Sequence, residues 1–203
     1  MGATGVAKPR SLALTVSLGL GAAGLAALVF ALFAALSNPP ARGYAEFARG
    51  SLKKLQVLDA PPPQSQRPFQ TADGARMTLK SFRGRVVVMN LWGTWCAPCV
   101  EEMPTLGALA GAYKDRPLSV VAINVDPTRL RQRAVTDLQR LSGGALTFYA
   151  DPTLAIALES GASRGMPVTV IYARDGREIG RVLGAADWMS AEARALIDAA
   201  LAE

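Results

Sequence analysis

Residues 85–104 of the chain read RVVVMNLWGTWCAPCVEEMP. The first half of this stretch is a continuous run of apolar and β-branched residues, which is typical of a strand buried on both faces of a sheet. A helix is predicted from about Ala97, because proline is tolerated in a first helical turn, where its missing N–H has no helical partner. Cys96 and Cys99 therefore lie where a buried strand passes into a helix.

These two cysteines are candidates for thiol chemistry. Cys96 precedes the helix, where unpaired backbone N–H groups and the helix dipole favour a negative charge. Such a position lowers the pKa of a thiol and makes the thiolate available for attack. Cys99 follows one helical turn later and is expected on the same side, but deeper.

Three other uses of the cysteine pair compete with this one. A zinc site needs about four ligands, and the chain has no histidine and no third cysteine, so zinc would have to be shared between two chains. Two thiolates can hold Cu(I), and a disulfide between them could be purely structural, although so small a loop constrains the unfolded chain little. No metal is expected, but the residues alone leave the Cu(I) alternative open.

A long apolar run near the N-terminus predicts a membrane anchor. Residues 12–36, LALTVSLGLGAAGLAALVFALFAAL, carry no charge, and roughly 20 such residues span the apolar core of a bilayer as a helix. The competing interpretation is a cleaved signal peptide, whose apolar region is usually about 7–15 residues long. If the run is an anchor, residues 1–11 are a cytoplasmic tail, and the larger part of the chain, after residue 36, lies on the extracytoplasmic side of the membrane.

Two further regions follow the predicted anchor. Residues 37–63 are rich in proline, glycine, serine and basic residues, which is typical of a linker, although 44–58 could form a short helix. Strand and helix patterns alternate over residues 64–203, with a hairpin turn predicted at Asp73-Gly74. This alternation predicts an α/β domain with a mixed sheet.

The distribution of charge argues against a nucleic acid partner. The net charge is +6, but the basic residues beyond the predicted anchor are scattered among acidic ones. A protein that follows a phosphate backbone needs its basic residues clustered. No nucleic acid partner is therefore expected.

The chain resembles the TlpA/ResA-like thiol-disulfide oxidoreductases, the membrane-anchored branch of the thioredoxin superfamily. The resemblance rests on residues 79–104 (LKSFRGRVVVMNLWGTWCAPCVEEMP) and 163–184 (SRGMPVTVIYARDGREIGRVLG), and the ending GAADWMSAEARALIDAAL, 184–201, is most similar to TlpA. It implies a thioredoxin fold, in which helices flank a mixed central sheet, behind an N-terminal transmembrane helix.

The resemblance also implies roles for individual residues. It assigns catalysis to Cys96, Cys99 and Glu102, client binding to Trp95, Met166 and Pro167, and supporting roles to Asn90, Pro98 and Pro104. Asn90 occupies the strand position at which thioredoxins carry a buried aspartate, and Glu102 is expected to do related work. The alternative for Glu102 is a carboxylate that merely suits the first turns of a helix.

Two of the prolines have conformational roles in the family. Pro167 is expected to follow a cis peptide bond in a loop that faces the cysteine pair, with the backbone of Met166 pairing with a client peptide. Pro104 is expected to kink the helix that follows the cysteines.

The implied activity is exchange through a redox-active Cys96–Cys99 disulfide, with no other cofactor. The implied clients are disulfides of apocytochrome c, of oxidase subunit II or of a Sco-like copper chaperone, and a CcdA- or DsbD-like membrane protein is the implied electron donor. The implied location is the bacterial cytoplasmic membrane, with a single span and the catalytic domain in the periplasm. The alternative is a membrane-tethered Cu(I)-binding module that uses the same two cysteines.

Overall fold

The computed structural model of the protein describes residues 41–203. The predicted cytoplasmic tail, 1–11, and the predicted anchor, 12–36, lie outside the described residues. Within residues 41–203, no helix combines the length and the apolar composition that a membrane crossing requires.

A single mixed sheet forms the centre of the described region. Its eight strands are β1 (Leu55–Gln56), β2 (Phe69–Thr71), β3 (Arg76–Met77), β4 (Val86–Trp92), β5 (Leu118–Asn124), β6 (Tyr149–Ala150), β7 (Val168–Tyr172) and β8 (Glu178–Leu183). In space they follow the order β1-β8-β7-β4-β5-β6-β2-β3. Strand β5 pairs parallel with β4 on one side and with β6 on the other, and all other neighbouring strands pair antiparallel.

Helices cover both faces of this sheet. They are α1 (Ala97–Ala112), α2 (Arg131–Leu141), α3 (Ala155–Glu159) and α4 (Ala191–Ala202), with short 3-10 helices at Ala41–Phe47, Gly50–Leu52, Leu79–Phe82, Thr128–Leu130 and Ala162–Arg164. Side chains of α1, α2 and α4 join one hydrophobic core, and side chains of α3 join the core on the opposite face. The predicted architecture of a mixed sheet flanked by helices is confirmed.

Strand β4 is buried along its whole length, which explains its continuous apolar sequence. Its side chains alternate between the two cores: Val88 and Trp92 pack on the face of α1, and Met89 packs on the opposite face. By the same alternation, Asn90 faces α1. The strand therefore delivers one polar amide into the core directly below the helix that follows the cysteines.

The predicted linker, 37–63, requires a correction in the part that the structure describes. From residue 41 the chain forms two 3-10 helices and then strand β1, which pairs antiparallel with β8. Leu52 is fully buried, and the Tyr44 hydroxyl donates a hydrogen bond to Glu203 at 2.6 Å. Because a few apolar side chains among the basic residues dock on the sheet and on α4, the folded domain begins before residue 64.

Most other predicted elements lie where the sequence places them. The hairpin at Asp73-Gly74 joins β2 and β3, and α1 begins at Ala97. Strand β6 covers only two residues and begins at Tyr149. Phe148 is buried by packing alone, without strand pairing.

Candidate functional site

The two cysteines form a disulfide at the start of α1. Cys96 is the residue that precedes the helix, and Pro98 lies in the first turn. The Cys96 carbonyl accepts hydrogen bonds from the backbone N–H of Cys99, at 3.0 Å, and of Val100, at 3.1 Å. Both cysteines are buried in the core, whereas Ala97 and Pro98 are exposed. The disulfide is thus held at the edge of the core, with its connecting dipeptide at the surface.

The loop before Cys96 is fixed by a buried carboxylate that the sequence analysis did not identify. The backbone N–H of Thr94 donates to both carboxylate oxygens of Asp126, at 3.1 and 3.2 Å, and Asn124 Nδ2 donates to the same group at 3.1 Å. Asp126 lies two residues after the end of the buried strand β5. An isolated acidic residue at that position is the feature of the sequence that could have indicated a role beside the cysteine loop. It holds the approach to Cys96 in one conformation.

Trp95 lies on this loop and is the most exposed large apolar side chain of the described residues, at 62%. Its indole ring folds back over the loop and lies against Gly93. A Cβ atom added at Gly93 would lie 2.7 Å from Trp95 Nε1 and 3.1 Å from Asp126 Oδ1. Glycine at position 93 therefore makes room for the indole. The result is an apolar surface beside Cys96.

The Met166–Pro167 peptide bond is cis, as predicted. Pro167 is buried and leads directly into β7, whose first residue, Val168, pairs with Leu91 near the end of β4. Met166 packs against the core that contains both cysteines. The structure therefore brings the cis-proline loop to the end of the sheet from which the cysteine loop departs.

A hydrogen-bonded polar network lies behind the cysteines, inside the core. Asn90 Nδ2 donates to Glu102 Oε1 at 2.7 Å and to Thr169 Oγ1 at 2.8 Å. Glu102 lies one turn after Cys99 on α1 and is only 3% exposed. The carboxyl group of Glu102 therefore lies in the core, and not at a solvated helix end.

The second oxygen of Glu102 is bound by a loop near the C-terminus. Glu102 Oε2 accepts hydrogen bonds from the backbone N–H of Ala186, at 3.0 Å, and from Trp188 Nε1, at 3.2 Å. Burial raises the pKa of Glu102 from 4.5 to about 7, although the hydrogen bonds from Ala186, Trp188 and Asn90 favour the carboxylate and oppose that shift. With this pKa, both the protonated and the ionised form of Glu102 are populated near neutral pH.

Asn90 can serve both protonation states of Glu102. Among the described residues, Asn90 Oδ1 is a buried acceptor without a hydrogen-bond partner. A rotation of the amide would turn this oxygen toward Glu102, where it can accept from a protonated carboxyl group, whereas Nδ2 donates to the carboxylate. An aspartate at this position could not donate to a carboxylate in the same way.

The remaining predicted residues have simpler surroundings. Pro104 lies inside α1 and is exposed, and its position leaves the carbonyl of Val100 without the usual helical N–H. The neighbouring acid, Glu101, is exposed. Within residues 41–203, no three side chains of the types that bind metals lie close enough to share an ion.

Comparisons with known proteins agree with this geometry. The profile of the Redoxin family matches residues 57–197. The thiol-disulfide oxidoreductase ResA of Bacillus thuringiensis (strain Al Hakam) is 29% identical over 112 residues, which cover 55% of this chain and 62% of the relative. The chain thus matches less than two thirds of the length of that relative.

Two solved structures share the fold. A thiol:disulfide interchange protein of the thioredoxin family from Chlorobium tepidum TLS superposes with a TM-score of 0.56 at 22% identity, over 71% of this chain and 99% of the other. A secreted thiol-disulfide isomerase from Corynebacterium glutamicum superposes with a TM-score of 0.58 at 23% identity, over 73% and 90%. The fold is therefore thioredoxin-like, and the chain belongs to the Redoxin family and is similar to ResA.

Proposed function

We propose that this protein is a thiol-disulfide oxidoreductase that reduces disulfides of client proteins outside the cytoplasm. The observation that supports the proposal most strongly is the Cys96–Cys99 disulfide at the N-terminus of α1, with the buried Glu102 one turn behind it. A purely structural disulfide has no need of a carboxyl group with a pKa near 7 in the adjacent core.

The reaction begins with the reduced protein. The Cys96 thiolate attacks one sulfur of a client disulfide, a mixed disulfide forms, and the other client sulfur leaves as a thiolate that takes a proton from solvent. Cys99 then gives its proton to Glu102 or to a water molecule and attacks Cys96 Sγ. The second client sulfur leaves and is protonated, so two electrons have passed from the cysteine pair to the client.

The helix N-terminus and Glu102 act on different cysteines in this reaction. The dipole and the free N–H groups at the start of α1 stabilise the thiolate of Cys96, the attacking residue. Glu102 lies beyond Cys99 on the same helix face and is about half ionised near pH 7. It can therefore accept the Cys99 proton and later return it.

The client is bound beside the disulfide. The exposed indole of Trp95 offers an apolar contact surface, and the backbone of Met166, next to the cis-proline, is the proposed partner of an extended client segment. Trp95 adjoins Cys96 in the chain, and Met166 packs against the core that contains both cysteines, so a client segment bound at both positions would bring its disulfide near the attacking sulfur.

The direction of transfer and the partners are further parts of the proposal. The dipeptide between the cysteines, Ala97-Pro98, lacks the histidine of DsbA-like oxidants, so the protein is proposed to donate electrons. Clients are proposed to be cysteines that must be free before a cofactor is installed, in apocytochrome c, oxidase subunit II or a Sco-like chaperone. A CcdA- or DsbD-like membrane protein would supply the electrons.

The proposed location is outside the cytoplasmic membrane, with residues 12–36 as the anchor. Extracytoplasmic compartments are where protein disulfides form and persist, and the similar isomerase from Corynebacterium glutamicum is described as secreted. The apolar sequence of 12–36 supports the anchor independently.

Reduction of insulin by dithiothreitol tests the activity. We expect the full chain to accelerate the reaction and the Cys96→Ser variant to give the uncatalysed rate. Absence of acceleration, together with binding of one Cu(I) per chain that both cysteines require, would instead favour the copper-binding alternative.

A further inference from the structure

The segment that precedes β1 is hydrogen-bonded, through Ser51, to the loop 185–188, which binds Glu102. The backbone N–H of Asp187 donates a hydrogen bond to Ser51 Oγ, and the backbone N–H of Ser51 donates to the carboxylate of Glu192, in the first turn of α4. Ser51 thus connects α4 to the middle of the loop 185–188. Both contacts join residues more than a hundred positions apart in the sequence.

The same loop supplies two of the three hydrogen bonds that Glu102 accepts. The donors are the backbone N–H of Ala186 and Nε1 of Trp188, which lie on either side of Asp187. The loop also returns to α1, because the backbone N–H of Trp188 donates to Thr105 Oγ1 at 3.2 Å. A shift of Asp187 would therefore move both donors relative to the Glu102 carboxyl group.

A cleft of about 400 Å³ lies between these elements and has Glu102 among its lining residues. Ser51 and Lys53 line it on one side, and Glu101 and Asp187 are the other charged groups that line it. Thr105, which anchors the loop to α1, also lines the cleft. The segment 50–53 therefore forms part of the wall between Glu102 and solvent.

Glycine at position 50 leaves room for the Glu192 carboxylate that binds Ser51. It has a φ of +52°, in the left-handed region, and a Cβ atom at this position would lie 2.2 Å from Glu192 Oε1. Gly74 has a φ of +89° but, among the described residues, no atom within 4 Å of such a Cβ. Both positions have a positive φ that favours glycine, but only at Gly50 would the added Cβ atom meet the carboxylate of Glu192.

We propose that Ser51 is a positioning residue for Glu102, which acts by fixing the loop 185–188 with the help of Glu192. The inference rests on the proposed function only for the use that the reaction makes of Glu102. The contact itself predicts a property of Glu102 that can be measured in the oxidised protein, without any exchange reaction.

The test is the titration of Glu102 in the oxidised, full-length chain, followed by ¹³C NMR of labelled glutamate carboxyl groups in detergent. The Glu102 resonance is identified by its loss in Glu102→Gln. Ser51→Ala removes the acceptor for Asp187, which loosens the two donors that favour the carboxylate. We expect the midpoint of the Glu102 titration to rise by about half a unit to one unit.

Three further variants make the result specific. Ser51→Thr keeps the hydroxyl and should restore the original midpoint, Gly50→Ala should raise it, and Gly74→Ala should leave it unchanged. A loss of thermal stability in Ser51→Ala with an unchanged Glu102 midpoint would overturn the proposal. A raised midpoint with an unchanged rate of insulin reduction would support the role of Ser51 and contradict the role proposed for Glu102 in exchange.

Discussion

Asn90 Nδ2 lies 2.7 Å from Glu102 Oε1, so an amide from the central strand holds the carboxyl group of the cysteine helix inside the core. An amide donates to a carboxylate without adding charge, and it can turn to accept from the protonated acid. Asn90 can therefore form a hydrogen bond with either protonation state of Glu102, and the change requires only a rotation of the Asn90 amide.

The stability of the oxidised protein should depend on the proton of Glu102. Its pKa is raised from 4.5 to about 7, so between these pH values the native state binds more protons than the unfolded state. The free energy of unfolding should therefore fall as pH rises through this window, by roughly 3 kcal/mol in total. The Glu102→Gln variant should lack this part of the slope in denaturant titrations from pH 4.5 to 8. Parallel slopes for both proteins would contradict a raised pKa.

Asn90→Asp should couple two buried carboxyl groups. Their oxygens would lie within about 3 Å of each other, as in carboxyl pairs that share one proton, so both cannot ionise together and the pair should hold one proton to a pH above 7. We expect the variant to lose stability at alkaline pH relative to the native protein. The double variant Asn90→Asp with Glu102→Gln has one carboxyl group again and should recover that stability; equal losses in the single and double variants would contradict the coupling.

Trp188→Phe should raise the pKa of Glu102, because the variant keeps an aromatic ring and loses the Nε1 donor to Glu102 Oε2. Hydrogen bonds to charged groups contribute about 1.5–3 kcal/mol, which corresponds to a rise of about one to two units. Trp92→Phe is the matched control, since Trp92 is equally buried and its Nε1 has no hydrogen-bond partner among the described residues. A similar titration midpoint in both variants would show that the indole N–H does not matter.

The sequence predicted the parts of the site that share one stretch of chain. Cys99 and Glu102 lie in the first two turns of the helix that Cys96 precedes, and Pro167 precedes a recognisable strand. Trp188 and Thr169 were missed as partners of this site, because they reach it from 86 and 79 residues away. Such contacts depend on how distant parts of the chain pack together, which no local pattern encodes.

Backbone donors were missed for a different reason. Ala186 binds Glu102 through its N–H, and Thr94 binds Asp126 in the same way, so their side chains carry no signal. The segment 37–63 was predicted as a linker because it is rich in proline, glycine, serine and basic residues, although from residue 41 a few apolar side chains suffice to dock it. Composition describes the average of a segment, and packing depends on individual positions.

The packing of α1 against the end of α2 gives a test of the fold around the site. A Cβ atom at Gly107 would lie 2.5 Å from the Ser142 carbonyl oxygen, so Gly107→Ala should lower the free energy of unfolding by about 1–3 kcal/mol. Gly111 lies on the same helix and, among the described residues, has no atom within 4 Å of such a Cβ. Gly111→Ala should therefore be neutral or stabilise by up to about 1 kcal/mol. Equal effects of the two substitutions in denaturant titrations would contradict the close approach.

In the proposed reaction, Cys96 attacks client disulfides and Cys99 resolves the mixed disulfide. This order of attack can be measured by mass spectrometry of the proteins bound to Cys99→Ser through a disulfide, in membranes quenched with acid. We expect Cys99→Ser to accumulate client proteins linked to Cys96, and Cys96→Ser to accumulate none. Accumulation on Cys96→Ser instead, or on neither variant, would contradict this order of attack.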